Sequence, residues 1–194
     1  LSFAVPDPAV SLDAIAGDNR INAAENASLI TFSGTLSSNT ADVISGFAVT
    51  DFAVTLTPGN GTPINANVTG YNNSSGVWTA TLDTATTPLL DGQGYNVQVL
   101  ASRSGFEARS EGKLRVDTSV AAPTLELAND SGSSANDGLT VNGQVNVSGL
   151  EPGSSWEYRT DTGSTWTLGS GNSFTLGGEG DKQVLVRQTD LAGN

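Results

Sequence analysis

Val186-Arg187-Gln188-Thr189-Asp190-Leu191-Ala192-Gly193-Asn194 reads as a strand running into an acidic turn. Val184 and Val186 stand two residues apart, as on one face of a half-buried strand, and Asp190, Gly193 and Asn194 are residues that turns favour. No partner strand follows this turn in the sequence. The ending therefore suggests a small all-β module whose last strand is absent, leaving an open sheet edge. A second acidic segment, Val116-Asp117-Thr118-Ser119-Val120-Ala121-Ala122-Pro123, has the character of a joint between two such modules.

Working outward, the two halves repeat. Pro8-Ala9-Val10-Ser11-Leu12 matches Pro123-Thr124-Leu125-Glu126-Leu127, each a proline followed by apolar residues at every second position. Asp18-Asn19-Arg20-Ile21-Asn22 matches Asn136-Asp137-Gly138-Leu139-Thr140, and Leu29-Ile30-Thr31-Phe32-Ser33-Gly34 matches Gln144-Val145-Asn146-Val147-Ser148-Gly149. Further alternations run through Phe52, Val54 and Leu56, through Trp78, Ala80 and Leu82, and through Tyr95, Val97 and Val99. The second half repeats the pattern at Trp156 and Tyr158, Trp166 and Leu168, Phe174 and Leu176, and Val184 and Val186.

Short strands at regular spacing between Gly, Asn and Pro turns describe two tandem immunoglobulin-like β-sandwiches. The expected boundaries are 1–117, a linker at 118–122, and 123–194, the second sandwich lacking strand G. Strands A, B, E, F and G of the first are expected at the Pro8 block, Ile30 to Phe32, Trp78 to Leu82, Tyr95 to Val99 and Gly112 to Val116. The second has A at Leu125 to Leu127, B at Val145 to Val147, C at Trp156 to Tyr158 and F at Val184 to Val186. Helix is expected only as a single turn at Ile21 to Glu25. The stretch from Gly46 to Thr69 reads as a long insert, and Leu1 opens on an extended apolar segment, as in a slice of a larger protein.

The chain has 194 residues, with 8 Lys+Arg against 20 Asp+Glu, a net charge of -12, and neither cysteine nor histidine. That charge opposes a phosphate backbone or an anionic membrane, so no nucleic-acid partner and no membrane insertion are expected. Zinc sites, Ser-His-Asp triads and Cys-His dyads lack their parts. Carboxylates remain, and these suit hard cations such as Ca2+. The acids fall in polar turns without the apolar surroundings that raise a catalytic carboxyl, so no enzymatic activity is expected.

Sandwich geometry gives the acids a place. The A-B and E-F loops share a pole with the end of G, which gathers Asp13, Asp18, Asn19, Asp91 and Asp117; the second F-G turn supplies Asp190 and Asn194. Ca2+ takes about six to eight oxygen ligands from such mixed carboxylate and amide sets, so calcium is expected at this joint. The second A-B loop carries Asp130 and Asp137 without the glycine and closing glutamate of an EF-hand. It stands open between a cation loop and an Asx-rich turn. Trp78, Trp156, Tyr158 and Trp166 are expected in the cores rather than on a sugar-binding platform.

Asp130-Ser131-Gly132-Ser133, Asp137-Gly138-Leu139-Thr140, Val147 to Gly153, Trp156-Glu157-Tyr158, Gly163-Ser164-Thr165-Trp166, Gly171 to Phe174 and Val186 to Asn194 resemble the bacterial immunoglobulin-like repeats of giant RTX-type adhesins. The first half resembles a more divergent relative, matched through Asp18 to Glu25 and Ser33-Gly34-Thr35. The resemblance implies type I secretion, an extracellular place on the bacterial cell surface, and calcium-stiffened stalks that support adhesion and biofilm formation. It implies Asp117, Asp190 and Asn194 as ligands, then Asp18 and Glu25. Repeats of this kind continue past Ala192-Gly193-Asn194 into strand G, a departure here. The reading is thus an extender or scaffold pair partnered by neighbouring modules of the same chain, with host or surface ligands taken by other domains. Two alternatives stand beside it: a Ca2+-dependent carbohydrate- or protein-binding module, and a split domain flanking an inserted ligand-binding domain.

Overall fold

The computed structural model describes residues 7–160 and 165–194. The opening segment at Leu1 and the Gly163-Ser164 part of the repeat pattern lie outside them. The chain divides into two compact units, Leu1–Thr118 and Ser119–Asn194.

The first unit holds β1 (Ala9–Val10), β2 (Arg20–Ile21), β3 (Leu29–Ser37), β4 (Phe52–Pro58), β5 (Ile64–Tyr71), β6 (Val77–Asp83), β7 (Gly94–Arg103) and β8 (Phe106–Val116). Their order is β1-β3-β6-β5-β4-β7-β8-β2, a sheet that runs through the β4–β5 pairing and folds over one core. Period-two alternation sets that core: Ile30, Phe32 and Leu36 from β3, Val54 and Leu56 from β4, and Val97 and Val99 from β7 all point inward and are buried. Each such side chain contributes roughly 1.5–3 kcal/mol of burial. Trp78 sits fully buried and donates its indole N–H to the Ser11 carbonyl at 3.1 Å. Gly34 makes this possible, because a Cβ there would strike both the Ser11 carbonyl and the Trp78 ring.

Four expectations need correction. Ile21 is a strand residue, paired in parallel through β2 with Val116 of β8, and the helical turn comes later, at Glu25–Ala27. An α-helix, α1 (Ala41–Gly46), and two further 3-10 turns add helix that apolar periodicity did not signal. Residues 46–69 are no insert, since they build β4, in mid-sheet, and most of β5. Finally, the last strand of this unit begins at Phe106 rather than Gly112 and pairs with β7 along its length.

The second unit has two three-stranded sheets. One is β9 (Thr124–Leu127), β10 (Gln144–Ser148) and β13 (Ser173–Thr175), in the order β13-β10-β9. The other is β11 (Ser155–Thr160), β12 (Thr167–Leu168) and β14 (Val184–Thr189), in the order β12-β11-β14. Between them lies a small core of Val145, Val147, Trp156 and Phe174, with Tyr158 stacked on Phe174 at 4.1 Å between ring centroids. Gly169 lies flat against the Trp156 indole, whose N–H reaches the Gly171 carbonyl at 2.9 Å. Trp166 departs from its expected core place: it is half-buried, beneath the guanidinium groups of Arg187 and Arg159 at 4.1 and 4.9 Å. Among the described residues no strand pairs with the second edge of β14.

Candidate metal-binding loops

At one pole of the first unit, three separate stretches are laced together by hydrogen bonds. The Asp117 N–H donates to Ile21 O at 2.9 Å, the Arg115 N–H to Asn19 O at 3.1 Å, and the Gly92 N–H to Val116 O at 3.0 Å. The Asn26 side chain brackets Leu89, accepting its N–H at 2.9 Å and donating to its carbonyl at 2.8 Å. This lacing brings Asp18, Asn19, Glu25, Asp91 and Asp117 to the end of the unit where the chain leaves it.

Each side chain also has a local task. Asn19, at φ 64°, accepts the Ile15 N–H and so closes a left-handed bend. Asp18 accepts the Arg20 N–H at 2.9 Å. Glu25 accepts the Asn22 N–H at 3.0 Å while Asn22 Oδ1 accepts the Glu25 N–H at 2.9 Å, a reciprocal pair that opens the 3-10 turn. Asp91 Oδ1 accepts the Thr118 N–H at 2.7 Å and fastens the first residue after Asp117.

In the second unit, Asp130 and Asp137 lie in one A-B loop. Asp130 Oδ2 accepts the Gly138 N–H at 3.0 Å and Asp137 Oδ1 accepts the Leu139 N–H at 3.1 Å. Thr140 closes the loop by donating its hydroxyl to Asn129 O. The other oxygen of Asp130, Oδ1, is buried and meets no donor. A buried carboxylate oxygen without a partner is costly, and the same loop also carries carboxylate, hydroxyl and carbonyl oxygens, of the type that binds Ca2+. Among the described residues no three or more His, Cys, Asp or Glu side chains group tightly enough to hold a metal by themselves.

Asp190 and Asn194 meet in the turn after β14. Asp190 Oδ1 accepts the backbone N–H groups of Ala192 and Asn194 at 2.8 and 2.9 Å, and Oδ2 accepts the Asn194 side-chain amide at 2.7 Å. Burial pulls the Asp190 carboxyl upward, but hydrogen bonds from the Asn194 side chain and from the Asn194, Ala192 and Gly193 backbone outweigh it. Its pKa is therefore held below the ordinary aspartate value.

Gln188 went unrecognised in the sequence. It is buried, donates Nε2 to Ala121 O at 2.7 Å and Gly149 O at 3.0 Å, and accepts the Glu151 N–H at 2.9 Å. Its signal was positional: in the alternation Val184, Val186, Gln188 it takes an inward place, where a polar side chain must find partners.

Residues 46–69 provide no enclosed ligand site. A cleft of about 630 Å³ opens beside them, lined among others by Val49, Tyr71, Asn72 and Asn73. The Tyr71 hydroxyl is already bonded to Ile44 O at 2.8 Å, and burial, with the Asp51 charge, raises its pKa.

No family model matches the chain, and no curated protein matches it. A solved structure of a 1.5-MDa bacterial ice-binding adhesin, from a study of its host cell surface retention, is similar with a TM-score of 0.56 at 18% identity. The match covers 96% of this chain and 60% of that one. The likeness shows a shared fold, all-β and built from sandwich units. Among the described residues no helix is long and apolar enough to cross a membrane.

Proposed function

We propose that the chain is a non-catalytic structural pair, an extender or scaffold of a bacterial cell-surface adhesin, and that it takes up Ca2+. The adhesin role is supported by a fold likeness running over nearly the whole chain to part of a bacterial adhesin. Calcium is supported chiefly by the buried, donor-free Oδ1 of Asp130 in a loop of oxygen groups.

Bound calcium would supply a divalent charge that neutralises carboxylates and accepts several oxygens at once. Asp130 and Asp137 would hold it in the second A-B loop, with Ser, Thr, Asn and backbone oxygens nearby as further ligands. At the first pole, Glu25 and Asp91 keep the 3-10 turn and Thr118 in place, and Asp117 stands at the start of the linker with its N–H bonded to Ile21 O. Without a cation these like charges repel. Neutralising them stiffens the linker that follows Asp117, which is the property an extender needs.

Calorimetric titration with Ca2+ on the wild-type chain, Asp130→Asn and Asp117→Asn tests uptake, and small-angle scattering in calcium and in chelator tests stiffening. Uptake should be lost or weakened in the variants and the scattering profile should extend in calcium. Absence of binding at millimolar Ca2+ would remove the metal from the proposal, and identical profiles would remove the stiffening.

A further inference from the structure

Four Asn or Asp side chains stand directly before a glycine: Asn60, Asp91, Asp137 and Asn142. At such a pair the glycine amide nitrogen can reach the side-chain Cγ and close a five-membered succinimide, because glycine has no Cβ to block the approach and its backbone turns freely. The reaction needs a nitrogen free to lose its proton, a side chain free to rotate and a backbone free to bend. The fold treats the four pairs differently on each count.

Three pairs are locked. The Gly92 N–H is bonded to Val116 O at 3.0 Å, and Asp91 Oδ1 accepts the Thr118 N–H at 2.7 Å. The Gly138 N–H is bonded to Asp130 Oδ2 at 3.0 Å, and Asp137 Oδ1 accepts the Leu139 N–H at 3.1 Å. At Asn142, Oδ1 accepts the Gln144 N–H at 3.1 Å, and the backbone is tied by the Asn142 N–H to the Thr140 hydroxyl at 2.9 Å and by Gly143 O to the Leu176 N–H at 2.8 Å. Gly143 also lies so close to the Leu176 carbonyl that a Cβ would collide with it. Asn60 and Gly61 are different. Both are exposed in the loop between β4 and β5, and Gly61 stands at φ 134°, where the backbone favours glycine. Among the described residues, neither the Asn60 side chain nor the Gly61 N–H makes a hydrogen bond.

We propose that Asn60 is a site of spontaneous modification by water, at which the chain acquires a carboxylate while it stays folded. The deprotonated Gly61 nitrogen attacks Asn60 Cγ and forms a new C–N bond. The bond from Cγ to the carboxamide nitrogen breaks, and that nitrogen leaves as ammonia, its third hydrogen replacing through solvent the one the glycine amide lost. Water then opens the succinimide. Attack at Cγ leaves aspartate at position 60; attack at the main-chain carbonyl carbon leaves isoaspartate, with the backbone running through Cγ and longer by one methylene. The net reaction consumes one water, releases one ammonia and needs no oxidant. The fold accommodates either product, because the outermost pair of β4 with β5 is Leu56 with Ile64 and the added atom falls in the loop beyond it. The hairpin tip gains a negative charge on a chain already at -12. The loss of ammonia does not reverse, so the share of charged tips records how long the chain has stood in water.

The test holds the whole chain in neutral to mildly alkaline buffer and samples it over time by isoelectric focusing and by peptide mapping with mass spectrometry, with enzymatic methylation to report isoaspartate. One acidic step should appear, its mass gain should map to Asn60, and isoaspartate should form there and not at Asp91 or Asp137. Asn142 should react more slowly by about tenfold or more, since the hydrogen bonds at its Oδ1 and at Gly143 O must open first. In guanidinium chloride that difference should vanish, which assigns the selectivity to the fold. Asn60→Gln, whose ring closure would be six-membered, should lose the acidic step, and the thermal midpoint of the aged chain should match that of the fresh one. Equal rates at Asn60 and Asn142 in the folded chain, isoaspartate arising first at Asp91 or Asp137, or a selectivity that persists in guanidinium chloride overturns the proposal. So does a lowered midpoint in the aged chain, since the modified hairpin would then not be one the fold accommodates.

Discussion

Replacing Gln188 should cost the second unit a large part of its stability while leaving the first unit untouched. The buried amide serves three backbone groups: Ala121 O, Gly149 O and the Glu151 N–H. Gln188→Ala strands all three, and orphaned buried groups cost about 1–3 kcal/mol each, with water able to reach the more exposed of them. A total of about 3–5 kcal/mol follows. A unit of roughly 75 residues has only about 4–11 kcal/mol to lose, so its transition should fall to a small fraction of its wild-type margin. Differential scanning calorimetry on the whole chain would resolve the two units, and urea unfolding followed by Trp156 and Trp166 fluorescence would report the second. Gln188→Met separates causes, because it restores most of the volume and none of the hydrogen bonds. A Met variant close to wild type, or an Ala variant within about 0.5 kcal/mol of it, would refute the claim that these three bonds hold the linker end to the β14 sheet.

Asp190 makes a pH prediction. Its folded pKa is depressed, so its stabilising contribution is fully present above the unfolded value of about 3.9 and fades as pH falls through the lower folded value. Urea midpoints of the second unit between pH 2 and 6 should drop at the acid end, and Asp190→Asn should flatten that drop. Gly169→Ala places a methyl against the Trp156 ring and should destabilise the second unit by about 1–3 kcal/mol, read as a lowered midpoint in urea. Calcium at one hundred times its dissociation constant should stabilise a unit that binds it by about 2.7 kcal/mol; thermal scans with calcium and with chelator check this, and Asp130→Asn should abolish the part carried by the second unit.

The alternating strands were legible because one buried face imposes period two. Ile30, Phe32, Val97 and Val99 announced themselves, and so did Val145 and Val147. β2 was not legible: two residues are too few to show a period, and what makes Ile21 a strand is its pairing with Val116, far along the chain. α1 is only six residues long and has no room for an apolar stripe. β5 carries Asn65, Asn67 and Gly70, which strands disfavour, so its strand signal was weak enough to pass for an insert. In the candidate loops, the chain positions of the acids were readable but not their local duties. That Asp190 spends both oxygens inside its own turn depends on how Ala192 and Asn194 fold back, and Asp130 turns one oxygen to the Gly138 N–H, eight residues on, while the other is buried.

The parallel pairing of β2 with β8 has a mechanical meaning. Arg20 and Ile21 lie beside Arg115 and Val116, and the Arg115 and Asp117 N–H groups bond to the Asn19 and Ile21 carbonyls. Tension applied through the two ends of the first unit pulls these adjacent parallel segments past one another, so their hydrogen bonds share the load in shear rather than opening one by one. Stretched between a surface and a cantilever, the first unit should hold until these bonds shear together, and give one sharp rupture rather than a gradual yield.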